Sequence, residues 1–252
     1  MMRSLLKSSG RWFFMLTVMS VLFTACSKDN DVVPDDEETG TETPKPNGTI
    51  PYYKIQRVEN FLAPVDDSQP TTPPPVVFFS LENKEQVAAE FKTTARWDIS
   101  FSSLYNSFIG ANNGKDEKNI GYGANGVGGI LIVEKPFEEI TDVPASGDFS
   151  TSATYGTDKL GAFGDGTGWY LYDFNGTIRG DGSEQKKHVA YAMPESRTLV
   201  VRTASGDFAK IKMISCYKDA FTPDKWFKDT PHMYFTFEYV LVPKGSTKFE
   251  IK

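Results

Sequence analysis

The sequence predicts an all-β fold, a single antiparallel β domain of two packed, curved sheets, and three observations carry this expectation. Short β-prone runs recur along residues 51–252, turn signals rich in Gly, Asn and Asp punctuate them, and no apolar pattern of helical period lasts beyond about two turns. No internal repeat divides the stretch, and about 200 residues lie within reach of one all-β domain.

The first strand signal is Val76-Val77-Phe78-Phe79-Ser80-Leu81, whose β-branched and aromatic side chains suit a pleated, half-buried surface. Residues 82–91 form a candidate short helix, with strand–turn–strand as the competing assignment. Arg96-Trp97-Asp98-Ile99-Ser100-Phe101 and Gly129-Ile130-Leu131-Ile132-Val133 are two further strands. The glycine-rich segment 121–129 precedes a β run rather than opening a helix, so no helix N-terminus awaits a phosphate there. Small residues at this point allow close backbone approach instead.

In "GTGWYLYDFNG", residues 166–176, alternation puts Trp169, Leu171 and Asp173 on one side and Tyr170, Tyr172 and Phe174 on the other. An aromatic row this dense is either core or the wall of a ligand pocket. Residues 197–217 make a hairpin about the turn Ala204-Ser205-Gly206-Asp207. Leu199 and Val201 share a face, while Lys210 and Lys212 turn away from Ile211 and Met213, which predicts a dry side and a wet side. Tyr234-Phe235-Thr236-Phe237-Glu238-Tyr239-Val240 supplies the last strand.

The ends of the chain carry an address. Arg3, Lys7 and Arg11 form a positive head before an apolar run, residues 12–25, that is too short to span a bilayer comfortably. That is the pattern of a secretory signal rather than a membrane helix. The run ends in Leu22-Phe23-Thr24-Ala25-Cys26, which resembles a bacterial lipobox, so Cys26 is expected to become a lipidated first residue holding an otherwise soluble domain to a membrane face. Residues 27–50 hold seven acidic and two basic side chains and no aromatics. They lack the apolar surface needed to fold and are expected to form an extended, self-repelling tether. Their acidic residues close to Cys26, Asp29, Asp31 and 35–38, resemble the surface-export signal of lipoproteins of Bacteroides-type Gram-negative bacteria, although a plain solvated linker explains the composition equally well. The expected organisation is a signal peptide at 1–25, a lipidated Cys and disordered tether at 26–50, and the β domain at 51–252.

Charge and cysteine usage narrow the function. The chain carries −6 overall, with +3 on the signal and −5 on residues 27–50, which leaves −4 on residues 51–252 with no basic block. Nucleic-acid binding is therefore not expected. Only Cys216 remains besides Cys26, so the domain has no internal disulfide despite its exported address. Cys216 lies in an apolar-alternating run and is expected to act as a small buried hydrophobe.

Catalytic templates are missing. The sequence has two histidines, His188 and His232, and no GxSxG elbow, HExxH, P-loop, CxxC or dinucleotide fingerprint. The acid pairs Asp165 with Asp173 and Asp142 with Asp148 are the kind that surface loops of an acidic protein supply by chance. A non-enzymatic protein is the expectation.

Several blocks taken together resemble one family. "ARWDISF" at 95–101, "NGVGGILIV" at 125–133, "PFEEITDVP" at 136–144, "GWYLYDF" at 168–174, "VVRTASGDFAKIKMISCYKD" at 200–219 and "YFTFEYV" at 234–240 occur in the order found in the HmuY family of haem-binding lipoproteins. The resemblance covers nearly all of residues 76–242. It implies an all-β fold whose loops at one end grip a haem, an outer-membrane or cell-surface location, and delivery of haem to an outer-membrane receptor.

The resemblance also implies two side-chain iron ligands, His–His or Met–Met, both recognised axial donors. One follows the family Trp by about five positions, which falls here on Phe174. The other lies in the segment before that Trp, here residues 145–168, which contains no His, Met or Cys. Both positions are vacant of a donor. The substitutes the sequence offers are His188, Met193 and Tyr155; His232 and Met233 have less claim.

Trp169, Tyr170, Tyr172 and Phe174 are candidates to line the pocket, with Arg179, Lys186 or Lys187 as partners for the propionates. A second expectation keeps the fold but gives it another ligand, a glycan, a peptide or another lipoprotein component.

Overall fold

The structure, a computed structural model, describes residues 46–252. The signal segment, Cys26 and most of the acidic tether lie outside the described residues. One five-stranded sheet is ordered β1 (Ile55–Leu62), β12 (His232–Val242), β11 (Phe208–Tyr217), β10 (Thr198–Arg202) and β6 (Gly129–Val133). A second is ordered β3 (Glu85–Val87), β2 (Val77–Ser80), β4 (Ile99–Ser102), β5 (Phe108–Ala111) and β7 (Thr154–Tyr155). A separate two-stranded hairpin joins β8 (Tyr170–Asp173) to β9 (Val189–Ala192). The strand pairings of these sheets are antiparallel, two isolated bridges (Thr157 with Tyr170, Asp158 with Gly166) are parallel, and the helical elements among the described residues are three-residue 3-10 turns. The predicted all-β class holds.

Alternation explains how the sheets meet. On β12, Phe235, Phe237 and Tyr239 point to one face and are fully buried. They meet the aromatics of the second sheet: the Phe79 and Phe237 rings lie 5.5 Å apart edge to face, and the Phe101 and Phe235 rings 4.5 Å apart. Each such pair contributes about 0.5–1.5 kcal/mol beyond the area it buries. On the other face, Glu238 takes ion pairs from Arg57 at 2.9 Å and Lys212 at 3.2 Å, so neighbouring strands are tied by charge where they are not tied by packing. Asp98, from the "ARWDISF" block, accepts from the backbone N–H of Leu81 at 2.7 Å and of Ala204 at 3.0 Å. One buried carboxylate thus fastens a turn of the second sheet to the β10–β11 turn of the first.

Two expectations are corrected. Residues 82–91 are not a helix: β2 turns into β3, and only Ala89–Phe91 forms a 3-10 turn, so the strand–turn–strand alternative is the one adopted. The apolar residues there pack singly, Val87 and Phe91 against Phe78 and Trp97, and no helical face forms.

The side of the β10–β11 hairpin expected to be wet is also covered. Phe137, Ile140, Phe149, Val200, Val240 and Val242 form a second apolar cluster over it. Lys210 is 2 % exposed and donates from Nζ to the carbonyls of Phe137 at 2.8 Å and Ile140 at 2.9 Å. The ammonium lies 4.2 Å from the Phe137 ring centroid, so a cation–π contact adds to the two carbonyls that replace its water. Burial pulls its pKa below that of an ordinary lysine. Alternation placed Lys210 on the correct face but carries no sign of the segment 137–140 that closes over it.

The glycine-rich stretch behaves as expected of a close-approach segment. A Cβ on Gly128 would lie 2.4 Å from the Asn112 carbonyl oxygen and 3.0 Å from that of Arg202, both fixed backbone atoms. Gly128→Ala is expected to cost about 1–3 kcal/mol as an overpacked site. Gly147→Ala, where nothing lies within 4 Å, should stay within about 0.5 kcal/mol. Urea midpoints of the two variants check this; equal stability would mean that the 112–128 contact is not tight.

Candidate functional site

The β8–β9 hairpin resolves the aromatic row of residues 169–174 into an inside and an outside. Leu171 pairs with Tyr191, Tyr172 with Ala190 and Asp173 with Val189. Trp169, Leu171 and Asp173 point inward and are buried. Trp169 donates from its indole N–H to the Ser107 carbonyl at 2.8 Å and packs on Tyr170 at 4.6 Å, which makes it core. Tyr170 is also closed in, its hydroxyl bonded to those of Ser107 at 3.0 Å and Thr157 at 2.9 Å. These two expected pocket residues therefore belong to the interior, because each finds a buried hydrogen-bond partner. Tyr172 is half-buried and Phe174 is 40 % exposed. The row grades from core at its start to surface at its end.

A second aromatic meets that end. The loop after Asp158 runs beside β8, with the Asp158 N–H donating to the Tyr170 carbonyl at 2.7 Å and the Ala162 N–H to the Tyr172 carbonyl at 2.8 Å. This sets Phe163, 81 % exposed, with its ring 5.5 Å from Phe174 and 6.0 Å from Tyr172. Phe163 lies in the 145–168 segment, where the family resemblance expects an iron ligand. Both ligand-bearing segments thus deliver a phenyl ring, and the two rings touch. Sequence reasoning missed Phe163; the available signal was a lone aromatic between Gly161-Ala162 and Gly164-Asp165.

His188 completes the patch. It follows the loop that returns from β8 to β9, and its backbone N–H donates to the Phe174 carbonyl at 3.3 Å. Its ring stands edge to face with Phe174 at 4.7 Å, and its Nδ1 is 2.8 Å from the Tyr172 hydroxyl. Phe163 (φ 64°) and His188 (φ 59°) both adopt the left-handed backbone region. For non-glycine residues that costs about 1–2 kcal/mol each, and such outliers concentrate at functional positions.

The other candidates lie elsewhere. Met193 is 1 % exposed in the core, at the far end of β9 from His188, with its N–H on the Trp169 carbonyl. Its thioether packs as an apolar plug rather than offering a donor. Tyr155 pairs with Ile109 on β7, and burial raises its phenol pKa, which disfavours the phenolate an iron ligand would need. His232 bonds through Nε2 to Asp67 at 3.0 Å, and Met233 is buried.

Lys186 donates to the carbonyls of Pro223 and Trp226 and lies over the Phe227 ring, so it is committed locally. Arg179 pairs with Glu195 at 2.8 Å and Lys187 with Glu184. Such surface pairs contribute about 0–1 kcal/mol and can be exchanged for a ligand's carboxylates.

Asp173, Asp142 and Asp148 are committed to structural contacts. Asp173 accepts from the backbone N–H groups of Thr177, Ile178, Arg179 and Gly180 at 2.9–3.1 Å. Burial pushes its pKa up, but those four donors outweigh this and hold it below the ordinary carboxylate value. Asp142 pairs with Lys248, and Asp148 caps the Ala145 N–H. Cys216 is buried and its thiol is pushed up to about 12 by desolvation, as suits a structural cysteine. Among the described residues no cluster of three His, Cys, Asp or Glu is placed to hold a metal ion.

Two antiparallel sheets, with an exposed aromatic and imidazole patch at the end of the β8–β9 hairpin, define the class, an all-β protein. The HmuY protein family model matches residues 74–239, and the chain belongs to the HmuY family. That family is associated with haem binding and with the cell surface, and it is non-enzymatic. No individual curated protein matches the chain. The matched region contains Phe163, Tyr172, Phe174 and His188.

Proposed function

We propose that this protein is a surface-anchored lipoprotein, held through Cys26, that binds haem or a related porphyrin and serves haem acquisition, handing its ligand to an outer-membrane receptor. The observation that supports this most directly is the exposed ring cluster of Phe163, Tyr172 and Phe174 in a member of the HmuY family. A porphyrin is flat, apolar in its middle and anionic at one edge. The three rings are inclined 34–83° to one another, so they offer it mixed stacked and edge-to-face contacts of roughly 2–4 kcal/mol beyond buried area, and Arg179 and Lys187 border the cluster in sequence for its propionates. An apolar surface of this kind, left exposed, is a recognised mark of a binding site. Among the described residues no helix is long and apolar enough to cross a membrane.

The residues fit the prosthetic group through stacking, since neither Phe163 nor Phe174 carries a donor atom. Titration of the full-length protein in detergent with metal-free protoporphyrin IX and with haemin, read by fluorescence quenching and by the Soret band, tests the proposal. Both ligands should bind, and Phe163→Ala combined with Phe174→Ala should weaken both by about tenfold or more. No binding of either ligand, or unchanged affinity in the double variant, overturns it. The phenyl rings at both expected ligand positions also support a second reading, in which the platform takes a peptide or glycan. Failure of both porphyrins would favour that one.

A further inference from the structure

We infer that His188 is the single protein ligand to the iron of a haem bound on this platform, through Nε2, with Tyr172 as its positioning residue. The inference rests on the porphyrin-binding proposal and adds how the iron is held. His188 is the one imidazole that reaches the platform, where it touches Phe174 and Tyr172. Its Nδ1 is occupied by the Tyr172 hydroxyl at 2.8 Å, while its Nε2 bonds to no described residue. An imidazole donating Nδ1–H to a neighbouring oxygen carries its lone pair on Nε2, the arrangement found behind metal-binding histidines.

Tyr172 suits the supporting role. Its hydroxyl oxygen, 2.8 Å from Nδ1, is placed to accept from Nδ1–H. Its ring contacts both Phe163 at 6.0 Å and Phe174 at 6.3 Å, which restrains where that oxygen sits. The backbone of His188 is also held: its N–H is bonded to the Phe174 carbonyl, and Val189, the next residue, enters the β9 ladder. A strained left-handed residue that is restrained on both sides keeps one orientation, as a ligand must.

Nothing on the platform offers a second donor. Phe163 and Phe174 are hydrocarbon, Met193 lies in the core at the other end of β9, and His232 is engaged by Asp67. The iron is therefore expected to have one protein ligand rather than two.

The experiment uses the full-length protein in detergent, titrated in parallel with haemin and with metal-free protoporphyrin IX. Electron paramagnetic resonance of the ferric complex should show a high-spin, five-coordinate iron. After reduction with dithionite, resonance Raman should show an iron–imidazole stretch. His188→Ala should abolish that stretch and weaken haemin about tenfold or more, at least about fivefold more than it weakens protoporphyrin; added imidazole should restore the stretch. Tyr172→Phe, which keeps the ring, should retain the stretch with haemin weakened by about tenfold.

A low-spin complex with two protein ligands, or a spectrum unchanged in His188→Ala, overturns the inference. Failure of metal-free protoporphyrin to bind overturns the platform proposal instead. The two failures are therefore distinguishable.

Discussion

Arg197→Ala should destabilise the protein by about 3–5 kcal/mol, because it strands a buried carboxylate. Asp158 is fully buried and the Arg197 side chain 6 % exposed. The guanidinium donates from Nε at 3.0 Å and from Nη2 at 2.9 Å to the same Asp158 oxygen. That oxygen also accepts from the Gly168 N–H at 3.0 Å, while the other takes the Leu160 N–H at 2.9 Å. Asp158 thereby clamps both ends of the loop that presents Phe163, and Arg197 neutralises the clamp. In a domain of this size the loss corresponds to a fall of roughly 6–20 °C in Tm.

The pH dependence follows from the same contacts. Burial pushes the Asp158 pKa up, but the Gly168 and Leu160 N–H groups and the Arg197 charge outweigh it, so the folded value lies below the ordinary one. A carboxyl depressed on folding contributes stability that is complete above its unfolded pKa, about 3.9, and is lost as pH falls through the folded value. The deficit of Arg197→Ala should therefore be largest near neutrality and shrink in acid, where the stranded carboxylate can take a proton. Urea unfolding at pH 7 and pH 4 measures both. Adding Asp158→Asn to Arg197→Ala should recover part of the loss, since no charge is then left buried. A single-variant loss below about 1 kcal/mol would show that the pair is not desolvated in solution.

The sequence revealed the strands and their partners more readily than what covers them. Period-two alternation identifies the buried faces of β10, β11 and β12, and the turn at residues 204–207 sets the β10–β11 register in which Leu199 faces Ile211. Lys210 shows the limit: alternation gives its face, but its burial depends on residues 137–140, about 70 positions away in sequence. The site was half legible for a similar reason. Counting from Trp169 reaches Phe174, whereas Trp169 and Tyr170, candidates for the same pocket, are buried and each bonds to Ser107. Phe163 sits in a loop with no period to betray it. His188 follows two lysines and resembles a solvated strand start; only the β8–β9 register brings it onto Phe174. Tertiary pairing creates that patch, and no local signal encodes it.

Asp173→Ala should cost about 2–4 kcal/mol and should disorder the end of the hairpin on which the site stands. The carboxylate satisfies four consecutive backbone donors, from Thr177 to Gly180, in the loop that leads from Phe174 toward His188. Such a set of N–H groups aimed at one anion has no replacement within the fold once the side chain is truncated. Water can reach these part-buried amides, which is why the expected cost lies below the sum of four lost charged hydrogen bonds. Asp173→Asn keeps one acceptor oxygen but turns an NH2 group toward the remaining donors, so it should lose a substantial share of the same stability.

Because the folded pKa of Asp173 is held low, its contribution persists at neutral pH and disappears only in acid, below the ordinary carboxylate range. Hydrogen exchange locates the effect. The amides of residues 177–180 should exchange rapidly in the Ala variant, while those of β11 and β12 keep the protection of the global fold. Haemin affinity should fall with them, since Phe174 and His188 border the released segment. Retained protection at 177–180, with a stability change under about 0.5 kcal/mol, would show that the loop holds its shape without the carboxylate.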